Sequence, residues 1–124
     1  MYKIIISLGS NSYSKLNIDK AKRMLSFSFP DVIFSSSIIS LSDDEDAKFP
    51  FRNAIGVFYD DIPVKELHKK LKSIEYALGR QPKDKDMGKV IIDIDLLQYG
   101  DVIIREEDIK KEYVQALLKE FVEE

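Results

Sequence analysis

An α+β fold, with helices packed on an antiparallel four-stranded sheet, is predicted by three observations. Four segments rich in Val, Ile, Phe and Tyr are spread along the chain, and two amphipathic helical patterns fall between them. A third helical pattern follows the last of these segments. Most of the segments are bounded by Gly, Pro, Asn, Asp or Ser, the residues that punctuate strands and helices.

The first strand runs from Tyr2 to Leu8 and ends at the turn cluster Gly9-Ser10-Asn11. Asn17 to Ser28 reads as a helix, with Ile18, Ala21 and Leu25 on one side and lysines and Arg23 elsewhere. Pro30-Asp31 breaks the chain, and Val32 to Ser40, β-branched and serine-rich, reads as the second strand. An acidic loop from Ser42 to Lys48 leads to a third strand, Phe51 to Tyr59. Asp60-Asp61-Ile62-Pro63 opens the second helix, with a carboxylate near the cap and proline in the first turn. Val64, Leu67, Leu71, Ile74 and Leu78 form its apolar stripe, and Gly79 ends it. Gln81 to Lys89 is a polar loop, Val90 to Tyr99 the fourth strand, and Asp108 to Glu123 a last helix with Val114, Leu117, Leu118 and Phe121 inward. The order β-α-β-β-α-β-α predicts a ferredoxin-like βαββαβ sandwich, its helices on one face of the sheet, with an extra C-terminal helix.

A chain of 124 residues suits one domain, residues 1–124. Its 44% hydrophobic and 33% charged residues are those of a globular protein with a packed core. No apolar run approaches the roughly 20 residues that span a bilayer. Met1 to Leu8 is too short for a signal peptide and lacks its charged region and cleavage site. A cytoplasmic location without membrane association is therefore expected. The absence of cysteine excludes disulfides and thiolate metal sites. A net charge of −3 argues against nucleic-acid binding, which calls for a basic face. Two or three placed cations would still serve a nucleotide. The sole histidine, His68, lies among lysines and is expected to be exposed.

The fourth strand carries the sharpest chemical signal. Side chains alternate along a strand, so Asp93 and Asp95 point the same way, their Cα atoms roughly 7 Å apart. Two like charges on one face of an otherwise apolar strand repel and invite a counter-charge. Magnesium is one candidate, since it uses one or two protein carboxylates and leaves the rest of its shell to phosphates; otherwise the pair lies on a solvent-facing strand surface or is neutralised by nearby Lys or Arg.

Further blocks accompany the pair: Leu8-Gly9-Ser10-Asn11, Phe51-Arg52-Asn53-Ala54, and Ile74-Glu75 through Leu78-Gly79-Arg80. With Asp93-Ile94-Asp95-Leu96-Leu97 and Tyr99-Gly100 they stand in the order and at the spacings of the 6-hydroxymethyl-7,8-dihydropterin pyrophosphokinases, which the chain resembles over roughly residues 2 to 121. The resemblance implies transfer of the terminal diphosphate of ATP to a reduced pterin, with Asp93 and Asp95 holding two magnesium ions. It implies that Asn53 hydrogen-bonds the pterin while Phe51 and Tyr113 stack on its faces. Arg80 would reach the phosphates, with Lys72 and Glu75 on the nucleotide side. Each of these residues also has a simpler role open to it. Phe51 and Tyr113 suit a core or rim, Asn53 a turn cap, Arg80 a helix C-terminus, and Lys72 and Glu75 a solvated face.

The chain departs from the family in two places that handle phosphate. Lys89 and Val90 stand where the family has Pro-Arg, so Lys89 is the candidate replacement, as a point charge without the bidentate fork. The stretch Arg105 to Lys111 lacks the family's Pro-His step and is more acidic. Three functions are thus open: a minimal pyrophosphokinase, a relative that keeps a pterin or nucleotide pocket without turnover, and an interaction domain with no small ligand. The paired aromatics of an RNA-recognition strand are absent.

Overall fold

The structure, a computed structural model, describes residues 1–41 and 49–121. The acidic stretch at 42–48 and the expected helix end at Glu123 lie outside the described residues. In chain order the elements are β1 (Tyr2–Ser10), α1 (Ser14–Ser28), β2 (Ile33–Phe34), β3 (Ile38–Ser40), β4 (Phe51–Asp60) and α2 (Val64–Ala77). A 3-10 turn (Pro82–Met87) follows, then β5 (Asp93–Tyr99), β6 (Val102–Ile103), α3 (Glu106–Ile109) and α4 (Glu112–Leu118).

The sheet order is β2-β4-β1-β5-β6, with β3 also on β4, and every pairing is antiparallel. With β2 and β3 taken together, this is the ferredoxin-like order the sequence predicts. β1 is the central strand, in register with β4 from Tyr2↔Asp60 to Ser10↔Arg52.

One face of the sheet carries Ile4, Ile6, Leu8, Phe58 and Ile94, and buries them against Ile18, Ala21 and Leu25 of α1 and Leu67, Leu71 and Ile74 of α2. Each such side chain contributes on the order of 1.5–3 kcal/mol of burial. Val64, the expected start of the α2 stripe, is 39% exposed, because Leu67 is the first residue of that helix to reach the core. Gly79, at φ 101°, supplies the left-handed residue that stops α2. Among the described residues no helix is long and apolar enough to cross a membrane.

Several expected boundaries move, each for a local reason. α1 begins at Ser14 rather than Asn17, and Asn17 is nearly a full turn inside it with its Nδ2 donating to Ser12 O at 2.6 Å. The second strand divides in two. At Ser35 the chain leaves the regular ladder, and the Ser35 hydroxyl accepts from Ile55 N at 2.9 Å while Ser35 N donates to Ile55 O at 2.8 Å. β5 starts at Asp93 rather than Val90, because Val90 is held by Asn11 instead of a strand. Asn11 Oδ1 accepts from Val90 N at 2.6 Å, Asn11 N donates to Val90 O at 3.0 Å, and Asn11 Nδ2 donates to Gly88 O at 2.9 Å.

The single C-terminal helix expected from Asp108 is two short helices, and they lie on the opposite face of the sheet from α1 and α2. There Ile109, Val114 and Leu117 cover Ile5, Ile55 and Leu97. Ile109 and Val114 are five positions apart, a spacing that puts them on different sides of a continuous helix at 3.6 residues per turn. The break at Lys110–Lys111 turns both onto the sheet.

Candidate functional site

Strand register builds the site on the face covered by α3 and α4. Gly9 of β1 pairs with Asn53 of β4 on one side and Asp93 of β5 on the other, and Ser7 pairs with Ile55 and Asp95. Two adjacent rows across three strands therefore carry Asn53, Gly9 and Asp93, then Ile55, Ser7 and Asp95. A cavity of about 650 Å³ opens over them, within the range of small-ligand pockets. Phe51, Asn53, Asp93, Asp95 and Tyr113 all line it, and Arg105 and Asp108 close its far wall. Gly9 keeps the floor flat: a Cβ there would lie 3.5 Å from both Asn53 Oδ1 and the Phe51 ring.

Asn53 is buried, and its Nδ2 donates to Ser40 Oγ at 2.7 Å, which ties β3 to the floor. Arg105 reaches the cavity because the hairpin turn at Gly100 (φ 58°) sends the chain back along β5, where Ile104 N and Arg105 N donate to Leu97 O at 2.8 and 3.2 Å. Its Nη1 lies 4.0 Å from Asp95 Oδ1, and its Nε donates to Asp108 Oδ2. The hydrogen bond to Asp108 raises the Arg105 pKa against the opposing effect of burial. Sequence reasoning passed over Arg105 and Asp108. The signal was the Gly100-Asp101 turn with Val102-Ile103 after it, which marks a return strand.

Among the described residues, no strand pairs with the outer edge of β5 below its short pairing with β6, and three side chains serve in place of a strand partner. Glu75, 4% exposed, accepts from Ile94 N through Oε2 at 2.7 Å. Lys72 Nζ donates to Ile94 O at 3.2 Å and to Glu75 Oε2 at 2.9 Å. Arg80 Nη1 donates to Ile92 O at 3.1 Å, to Glu75 Oε1 at 3.0 Å and to Asp93 Oδ1 at 2.8 Å. These three residues also line a second cavity of about 330 Å³ beside α2. The expectation that Lys72 and Glu75 form a merely solvated face does not hold for Glu75, which is buried at the strand edge. Lys89 does not join the carboxylates. It is exposed and borders a third cavity, of about 480 Å³, with Asn11, Tyr13 and Met87. His68 is exposed, as expected.

Of the counter-charges considered from the sequence, cationic side chains stand beside the pair. Lys72 Nζ stands 3.6 Å from Asp95 Oδ1 and 3.9 Å from Asp93 Oδ1. Yet the cations do not fully offset two half-buried carboxylates. Burial, then the hydrogen bond and charge of Asp93, push the Asp95 carboxyl up to about 7. For Asp93, burial acts upward but the hydrogen bonds from Asp95 and Arg80 prevail and lower it. Burial likewise opposes the charge on Arg80, and the Asp93 bond with the surrounding carboxylates overcomes it and raises its pKa. The pair thus tends to share a proton, with Asp95 as its main holder, because burial and the neighbouring carboxylate outweigh the cations around it.

A model of the 7,8-dihydro-6-hydroxymethylpterin-pyrophosphokinase family matches residues 5–123 of the chain. Among curated proteins, no relative matches it.

Proposed function

The chain belongs to the 7,8-dihydro-6-hydroxymethylpterin-pyrophosphokinase family, and on that premise we propose that it transfers diphosphate from ATP to 6-hydroxymethyl-7,8-dihydropterin in folate biosynthesis. The hydroxymethyl oxygen forms a bond to the β-phosphorus of ATP, and the bond from that phosphorus to the α,β-bridging oxygen breaks. AMP leaves with the electron pair, and the hydroxyl proton is released. Such a reaction depends mainly on positioning and charge neutralisation.

The observation that carries this reading is the placement of Asp93 and Asp95 on the same sheet face, in the same cavity, as Phe51, Asn53 and Tyr113. The aromatics suit the faces of a flat heterocycle and Asn53 its polar edge. The carboxylates fit magnesium: two oxygen-donor side chains on one face, beside open space for phosphates. Among the described residues no group of three or more His, Cys, Asp or Glu suits a metal, so substrate and water must complete the shell. Bound there, magnesium would neutralise the phosphates and draw them together. Arg105 adds a cation on the cavity wall, and Arg80 steadies Asp93 from the strand edge.

Incubation with magnesium, ATP and the reduced pterin is expected to generate AMP, read by chromatography. Asp95→Asn should lower the rate about a hundredfold or more. No AMP, under conditions where an authentic family enzyme works, would overturn the assignment. The position of Lys89 favours a second reading, in which the chain binds pterin or nucleotide without turnover. Val90 is apolar and Lys89 borders another cavity, so neither residue at the place of the family's Pro-Arg step brings a cation to Asp93. Calorimetric heat with the pterin but no AMP would select that reading.

A further inference from the structure

Lys72 belongs to α2, on the far face of the sheet from the cavity, and its side chain passes around the free edge of β5 to the carboxylates. Among the described ion pairs it is the cation that reaches both members: Arg80 pairs with Asp93 and Arg105 with Asp95. An ammonium has three donors. Two are committed to Glu75 Oε2 at 2.9 Å and Ile94 O at 3.2 Å, acceptors fixed by burial and by the strand backbone. The remaining side of the charge faces Asp95 and Asp93 at 3.6 and 3.9 Å. Neither anchor is a candidate metal ligand, so the ammonium keeps its place whatever approaches the carboxylates from the cavity.

We propose that Lys72 and a divalent cation are alternative neutralisers of the Asp93/Asp95 pair, the lysine keeping the pair assembled without metal and weakening the metal's hold. The proposal rests on the reading of this pair as a metal site. A fixed positive charge in contact distance of both carboxylates repels an incoming divalent ion and leaves it less negative charge to bind. The consequence is a site that releases its ion readily when no phosphate helps to hold it. A purely structural lysine would behave in the opposite way, since its removal would loosen the site and weaken metal binding.

Mn2+ alone, without nucleotide, is the probe. Free Mn2+ is followed by electron paramagnetic resonance during titration of the wild-type chain, Lys72→Met, and Lys65→Met as a control that removes an exposed charge elsewhere on α2. Lys72→Met is expected to bind Mn2+ about tenfold or more tightly than wild type, while Lys65→Met stays close to it. Without metal, Lys72→Met should melt below wild type, and Mn2+ should raise its melting temperature by more than it raises that of wild type. Lys72→Gln, which keeps a donor for Ile94 O, replaces the methionine variant if that fails to fold. Unchanged or weaker Mn2+ binding in the Lys72 variants, with wild type binding normally, overturns the role of Lys72 alone. No Mn2+ binding by wild type or variant overturns the metal site itself.

Discussion

At the scale of single residues, the titration of Asp95 is the most direct probe of the site. Its carboxyl, ordinarily near 3.8, is raised to about 7 by burial and by Asp93. In the metal-free protein the folded state therefore holds a proton that the unfolded state has lost. The stability gained from this group is present at low pH and declines as pH rises from about 4 to about 7. Carbon-detected NMR of the Asp95 carboxyl should show a midpoint near 7. Asp93→Asn should bring that midpoint down, since burial remains but the neighbouring charge is gone; an unmoved midpoint would mean that burial alone sets it. Asn11 offers a stability test. It makes three hydrogen bonds to the segment at 88–90, two of them from its side chain, so Asn11→Ala is expected to cost about 1–3 kcal/mol in urea unfolding. The common face of Asp93 and Asp95 was legible from alternation alone. Their contact with Lys72 was not, because it depends on which edge of β5 is free and on how α2 is rotated against the sheet, neither of which a local pattern carries.

Among the elements, β5 is the one whose exposed edge requires explanation. A strand edge with open N–H and C=O groups invites association, and here Lys72 and Glu75 of α2, with Arg80 three residues beyond its C-terminus, close it. Glu75 is the centre of that closure, joining Ile94 N, Lys72 and Arg80. Glu75→Ala would leave the Ile94 N–H unpaired and take one of the acceptors from each of two cations, and is expected to cost about 3–5 kcal/mol. Glu75→Gln, which retains an acceptor, should cost less than half of that; equal losses in urea unfolding would show that packing rather than the carboxylate matters. The elements also show how far periodicity carries. The α2 stripe from Leu67 to Ile74 was legible, because an apolar run at helical spacing has one packing solution. The split at Ser35 and the break at Lys110–Lys111 were not. Both arise where the sheet, rather than the local sequence, dictates which side chain must face inward: the Ser35 hydroxyl takes a backbone bond of β4 outside the regular ladder, and Ile109 and Val114 must cover one face.

For the whole molecule, the two sides of the sheet serve different purposes. One side is sealed by α1 and α2, while the other is half sealed by α3 and α4 and half open as the cavity. The segment that roofs the candidate site, with Arg105, Asp108 and Tyr113, is therefore held in place by the smaller of the two cores. Leu117→Ala and Leu67→Ala remove equivalent buried side chains from opposite sides, and each is expected to cost about 2–5 kcal/mol. Their effect on ligand should differ. Loosening the Leu117 side frees the wall that carries Tyr113 and Arg105, so pterin affinity should fall several-fold even when corrected for the folded fraction. Loosening the Leu67 side should leave the affinity of the folded molecules unchanged, because β1, β4 and β5 keep the floor in register. Pterin fluorescence titrations on both variants, each at a temperature where most of the protein is folded, make the comparison. Equal loss in the two would mean that the sheet transmits disorder between its faces and that the roof is no separate unit.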